Sequence, residues 1–364
     1  MKIKEILNRL ESLAPLSLQE TYDNSGLIIG NPETQISKAL ICIDITEKVI
    51  NEAISKKCNL IISHHPLIFG CLTNIIENNP LGKCIIKAIR NDISIYAMHT
   101  NLDNAINGVN SMLCKKLGIS KCKILKPKKY ILKKLVTFCP SDNADIVRTA
   151  LFNAGAGHIG NYDCCSYNSD GFGTFRALEN TNPYVGEKNK LHFENEVKIE
   201  TIYPAYNEKA LIEALLSSHP YEEVAYDIFH LQNEFSLAGE GMIGDLKDSC
   251  EAKEFLQKVK SILGISVIKH SKLIKKSLKK VAVCGGSGSY LIKDALSADA
   301  DIYITADIKY HQFFEGNGKM IIADVGHYES EQFAKEIIVD FLNENFPTFA
   351  FIISKINTNP VNYF

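Results

Sequence analysis

Hydrophobic residues along the chain fall into two rhythms. In the first third, short runs that are apolar at nearly every position, ALICIDI (39–45), NLIIS (59–63) and ISIYAM (93–98), alternate with longer amphipathic stretches. Strands apolar on both faces suit the middle of a sheet covered on both sides, and a 3.6-residue period marks the covering helices. The pattern predicts helices over 46–57, 80–91 and 104–117, the last with Ile106, Val109, Leu113 and Leu117 inward. At the start, Ile3, Ile6, Leu7 and Leu10 form one helical stripe broken by charges, which is not a signal peptide.

From about Lys133 to Leu231 the rhythm changes. KLVTFCP (134–140) predicts a strand, 142–153 a helix, and two extended segments follow between Tyr162 and Leu178. LHFENEVKIETIYP (191–204) alternates throughout, 207–217 is helical, and EEVAYDIFHL (222–231) is a last strand. The order β-α-β-β-α-β is the ferredoxin-like pattern. From Ala238 the first rhythm returns, with a helix at 250–263 and strands VAVC (281–284), IYIT (302–305) and MIIADV (320–325). A closing helix buries Phe333, Ile337, Ile338, Phe341 and Leu342. The expected fold is therefore a layered α/β core made from residues 1–128 and 236–364, with 129–235 inserted as a separate ferredoxin-like α+β domain.

A length of 364 residues agrees with more than one core. Lys and Arg total 40 against 42 for Asp and Glu, a net charge of −2 that does not point to nucleic acid or a membrane as the main partner. The Lys clusters KPKKYILKK (126–134) and KHSKLIKKSLKK (269–280) read as solvated surface, and no apolar stretch reaches transmembrane length. None of the 11 cysteines is spaced C-x-x-C, which suits free thiols in a reducing cytoplasm better than a zinc ribbon.

Three glycine-rich stretches stand out. GAGHIG (155–160) and GEGMIG (239–244) lack the strand-before-helix context of a dinucleotide fingerprint and read as turns. GGSGS (285–289) follows the strand VAVC and precedes YLIKDAL, so amides of Gly285, Gly286, Ser287 and Gly288 could cradle a phosphate. A tight turn that requires glycine is the equal alternative.

The chemistry lies at the strand ends. NLIIS runs into His64 and His65, ISIYAM into His99 and Asp103, and MIIADV into His327 and Glu331. Ligands bind outside the carboxyl ends of strands in open α/β sheets, so three such strands ending in histidine suggest one site. Imidazoles mixed with carboxylates suit Zn first, then Mn, Fe, Co or Ni, over Ca or Mg. His64 and His65 on an extended backbone should diverge, each gripping one of two ions. Glu331 would bridge, Asp103 would hold one ion and His327 the other. Open positions would hold water of lowered pKa, with His99 as a supporting or proton-transfer residue.

SHHPLIF (63–69), HTNLD (99–103), GHYESE (326–331), YDNSGLIIG (22–30) and GGSGS followed by DIYITADIKYH (301–311) resemble the GTP cyclohydrolase 1 type 2 homologue family over essentially the whole chain. GAGHIGNYDCCSY (155–167), NPYVGE (182–187) and HPYEEVAYDI (219–228) resemble the PII-like insert of its longer members. That resemblance implies a two-metal site at His64, His65, Asp103, His327 and Glu331, and a toroidal homohexamer with its sites facing a cavity. It also implies water opening the guanine ring of GTP. The first functional expectation is a metal-dependent hydrolase with a nucleotide as favoured substrate, His99 or His311 assisting proton transfer and phosphates resting on GGSGS. Ala306 replaces the family's usual glycine before Asp307. The competing expectation is a non-enzymatic metal-binding ring whose insert senses a small molecule.

Overall fold

The computed structural model describes residues 1–274 and 277–364. Lys275 and Lys276, in the middle of the second Lys cluster, lie outside the described residues. The chain opens with α1 (Ile3–Leu13), β1 (Gly26–Ile29), β2 (Ala39–Cys42), α2 (Glu47–Ser55), β3 (Leu60–Ser63), α3 (Pro80–Arg90), β4 (Ser94–Ala97), α4 (Thr100–Asn104), α5 (Val109–Leu117) and β5 (Ile119–Lys129). There follow β6 (Leu132–Pro140), α6 (Ala144–Asn153), β7 (Tyr167–Arg176), β8 (Leu191–Pro204), α7 (Glu208–Ser218) and β9 (Tyr226–His230). The last part holds β10 (Glu234–Glu251), α8 (Ala252–Leu263), β11 (Lys269–His270), β12 (Ser277–Ser287), α9 (Ile292–Ser297), β13 (Ile302–Ala306), β14 (Ile321–Asp324), α10 (His327–Glu331), α11 (Ala334–Asn345) and β15 (Phe351–Ile353).

Among the described residues these elements form a mixed α/β structure with three sheets in two compact units, one of Met1–Pro127 with Leu237–Phe364 and one of Lys128–Ser236. The first unit holds a five-stranded sheet, β1-β4-β3-β2-β15, and a six-stranded one, β11-β14-β13-β12-β10-β5. Each recruits a strand from the other end of the chain, β15 beside β2 and β5 beside β10, so N- and C-terminal parts interlock.

Every residue of β2, β3 and β4 is buried, as expected of strands covered on both faces. They run parallel, as do β12, β13 and β14, so the carboxyl ends of each trio share one edge. Of the helix expected over 104–117, only 109–117 form α5; Asn104 ends the separate short α4, and 105–108 are not helical. A Cβ at Gly108 would lie 1.7 Å from the Leu102 carbonyl oxygen, so the chain folds back on itself there. The break places Asp103 on a short helix of its own.

In the second unit an antiparallel sheet of order β7-β8-β6-β9 packs α6 and α7 on a core that includes Leu135, Val147, Ile199 and Leu211. Several lysines of the first Lys cluster are ion-paired here, Lys133 with Glu208 at 2.6 Å and Lys134 with Glu200 at 3.0 Å. Among the described residues no helix is long and apolar enough to cross a membrane.

Candidate metal centre

β3 ends at Ser63, and the two histidines after it leave the strand. Ser63 Oγ donates to the His65 carbonyl at 2.7 Å, bending the chain over two residues. Side-chain alternation therefore stops where the site starts. The imidazoles do not diverge as an extended backbone would require: their centroids are 4.9 Å apart with planes at 41°. Both face one carboxylate, with His65 Nε2 at 2.9 Å and His64 Nε2 at 3.7 Å from Glu331 Oε2. His64, His65 and Glu331 together form a cluster able to hold a metal ion.

Glu331 is on α10, where its spacing from His327 spans one turn and His327 Nε2 lies 3.1 Å from the same oxygen. Asp103 Oδ1 approaches from α4, 3.6 Å from His64 Nε2. His99 completes a ring of imidazoles, 5.5 Å from His64 and 5.3 Å from His65 between centroids. Thus the five expected ligands and His99 meet in one place. His311 does not join them, because it sits on an exposed turn at Tyr310–Phe314, edge-on to Tyr310.

Each imidazole is fixed from behind through Nδ1. His64 pairs with the Met98 carbonyl at 2.8 Å, His65 with Asp44 at 2.7 Å, His99 with Asp23 at 2.7 Å and His327 with Asp307 at 2.7 Å. Anchoring Nδ1 sets the ring and turns Nε2 toward the centre, the arrangement that metal-ligating histidines use. Asp44, Asp23 and Asp307 escape a reading of histidines alone. Their signal is position, since Asp44 follows β2 and Asp307 follows β13 at the same sheet edges. Asp307 takes a left-handed φ of 54°, a conformation that Asp tolerates better than most residues. A further support comes from the tail after β15: Thr358 Oγ1 donates to Asp44 Oδ2 at 2.5 Å, and Asn359 Nδ2 to Glu329 at 2.9 Å.

The electrostatics fit a cation. Burial would raise the Glu331 pKa, but the imidazoles of His327, His64 and His65 around it hold it well below the usual carboxylate range. Burial, then the Glu331 charge, pushes Asp103 up to about 8. His64 Nε2 and Asp103 Oδ1 are both buried without a hydrogen-bond partner. Two orphaned ligand atoms beside a buried carboxylate are what a bound divalent ion would satisfy, so the residues fit such a group.

The glycine loop serves this carboxylate. Gly285 N–H donates to Asn110 Oδ1 at 2.9 Å and Gly286 N–H to Ser330 Oγ at 2.9 Å, so neither amide is open to a phosphate. Gly286 has φ +62°, and a Cβ there would lie 2.1 Å from Glu331 Oε1. β12 runs on to Ser287, and a Cβ on Gly288 would meet Thr305 Oγ1 at 2.4 Å. Of the two readings of GGSGS, close packing is the one these contacts support.

A family profile, Duf34/NIF3 (NGG1p interacting factor 3), matches residues 1–360. The chain belongs to the Duf34/NIF3 family. Among Duf34/NIF3 relatives, the "GTP cyclohydrolase 1 type 2 homolog" of Bacillus subtilis is 38% identical over 99% of this chain and 98% of its own. That of Halalkalibacterium halodurans is 38% identical over 98% of each. A crystal structure of a Bacillus cereus protein related to NIF3 superposes with a TM-score of 0.86 at 37% identity, covering 100% and 99% of the two chains. A Staphylococcus aureus structure gives 0.78 at 30% identity, again over 100% and 99%. The Duf34/NIF3 assignment and the His64, His65 and Glu331 cluster agree on metal binding.

Proposed function

We propose that the protein is a dinuclear metal-dependent hydrolase acting on a nucleotide-type substrate. His64 and Asp103 would hold one ion and His65 and His327 the other, with Glu331 between them. The observation that carries this is the orphaned pair His64 Nε2 and Asp103 Oδ1, 3.6 Å apart, facing the set around Glu331. When bound, two such ions, zinc first among the candidates, supply a nucleophilic water at neutral pH and polarise the group attacked.

The protein's own residues do the rest. Asp44, Asp307 and the Met98 carbonyl keep three imidazoles aimed inward. His99, its Nδ1 tied to buried Asp23, presents Nε2 to the cavity and can hold or move a proton there. His311 has no part in this centre within one chain. The relatives' printed name suggests a guanine nucleotide as substrate.

The same reading includes a cytoplasmic homohexameric ring and a ferredoxin-like, PII-like insert at 129–235. The β6-α6-β7-β8-α7-β9 order and the sheet order β7-β8-β6-β9 support the insert. The test is metal content per chain, then turnover of GTP and simple phosphoesters with that metal. About two ions per chain and turnover support the proposal. Metal binding without turnover across a panel of divalent ions leaves the alternative, a metal-binding ring with a ligand-sensing insert.

A further inference from the structure

The second unit holds a pocket of about 650 Å³, in the middle of the range for small-molecule sites, and its lining falls between Phe138 and Ala225. In that unit α6 and α7 pack on the sheet face that carries Leu135, Val197 and Ile199. Side chains alternate along strands, so Phe138, Glu196 and Lys198 stand on the opposite face. Gly171 pairs with Glu196 and Phe175 with His192, which brings Gly171, Gly173 and Phe175 of β7 to that same face. A Cβ on Gly171 would meet nothing within 4 Å, so the strand is bare where it lines the pocket.

Glu196 is held in one pose. Its Oε2 would lie 2.1 Å from a Cβ on Gly173, so glycine there lets the carboxylate rest against the β7 backbone. Its Oε1 accepts from the Tyr221 hydroxyl at 2.8 Å. Tyr221 is fixed in turn, because its N–H donates to His219 Nδ1 at 3.1 Å and His219 Nε2 donates to the Phe138 carbonyl at 2.9 Å. Burial pushes the His219 pKa below its usual value, which suits the neutral ring this pairing needs. Phe175 and Tyr184 flank Tyr221 with centroids 6.0 and 6.3 Å from it. The Asn182 N–H donates to Glu222 at 2.9 Å and ties the segment of Tyr184 to that of Tyr221. Three rings thus stand beside one carboxylate.

Among the described residues no cation pairs with Glu196. Glu196, Lys198 and Glu200 follow one another on one face of β8, and the Lys198 ammonium pairs with Glu200, on the side away from Glu196. Glu200 takes Lys134 as well, at 3.0 Å. Asp170 and Arg176 lie on the other face of β7, while Glu222 and Glu223 add carboxylates to the lining. Aromatic faces beside an unpaired carboxylate attract an organic cation, whose charge meets the ring quadrupoles and the carboxylate together.

We propose that the second unit carries a ligand site of its own for an organic ammonium ion, which packs on Phe175, Tyr184 and Tyr221 and sets its charge against Glu196 above Gly171. The pocket exceeds an ammonium head in volume, so the ligand carries a larger body. No residue of the metal centre takes part, so the site stands or falls apart from the hydrolase reading.

The test is titration of the full, zinc-loaded chain with choline and with 3,3-dimethylbutan-1-ol, which has the same shape but a neutral carbon in place of the nitrogen. Choline should bind saturably and on the order of tenfold more tightly than the alcohol. Glu196→Gln keeps an acceptor for Tyr221 and should remove that preference. Tyr184→Leu, at a ring 56% exposed, should weaken choline about threefold. Gly171→Val puts a side chain that suits a strand into open space directly across from Glu196. Its melting temperature should therefore hold while choline binding is lost. Equal binding of the two probes, no binding of choline, or folded variants that keep full affinity would each overturn the proposal. Zinc content should stay constant throughout, and a joint loss of zinc and choline would place choline at the metal centre and overturn it too.

Discussion

His64 Nε2 and Asp103 Oδ1 lie 3.6 Å apart, both buried and neither hydrogen-bonded. Without a cation the Asp103 carboxyl favours its protonated form, because burial and the Glu331 charge lift its pKa to about 8. A carboxyl raised on folding contributes stability that is full below its unfolded pKa, about 3.9, and is lost as pH climbs toward 8. Asp103→Asn should therefore stabilise metal-free protein increasingly from pH 5 to pH 8 while lowering its metal capacity. Melting curves of chelator-treated samples across that range check this, and a pH-independent difference would contradict it.

Metal binding should release protons. Burial pushes the pKa of His65 down, but hydrogen bonds to Asp44 and Glu331 outweigh it and carry it up to about 10. For His327 the same opposition, with Glu331 and then Asp307 as partners, ends at about 9. Both must lose a proton to ligate, so zinc affinity should rise from pH 6 to pH 9. Calorimetry in buffers of different protonation enthalpy counts the protons released, and a flat affinity over that range would refute the point.

Gly286→Ala should empty the site. The new methyl would overlap Glu331 Oε1, at 2.1 Å, on a backbone with φ +62° that also strains alanine. Metal content should fall to near background, and the melting temperature should drop as well. Full metal retention would mean that Glu331 is not held where these contacts put it.

Thr358→Val removes a hydroxyl that donates to Asp44, the carboxylate anchoring His65. Loss of such an outer partner costs about 10–100-fold in metal affinity. Competition with a chromophoric chelator would measure the loss. Unchanged affinity would make the tail a bystander.

His99→Gln and His311→Ala separate proton transfer from proximity in sequence. With metal content intact, His99→Gln should lower turnover about 10²–10⁴-fold. His311→Ala should leave it unchanged, because that side chain is exposed and outside the cavity lining. The opposite ranking of rates would reverse the assignment.

Much of the frame is legible from pattern alone. The runs NLIIS, ISIYAM and MIIADV hold strands β3, β4 and β14, since four consecutive buried positions leave little choice. The 104–117 helix begins only at Val109, because the chain turns over 105–108 and Gly108, lacking a Cβ, lies close against the Leu102 carbonyl. His64 and His65 mislead for a related reason: alternation holds only while the strand lasts, and the Ser63 hydroxyl ends it.

The sequence by itself determined that histidines and carboxylates close several strands, because local periodicity sets where a strand stops. It also determined the His327–Glu331 pairing, because one helical turn is a local distance. Only the tertiary structure decided that these ends meet, that three aspartates stand behind three of the imidazoles, and that Gly286 makes room for Glu331. Asp23 is 76 residues from His99 and Glu331 is 266 from His65. Contacts so remote in the chain depend on how parallel strand edges from the two sheets are brought together, which no local pattern encodes.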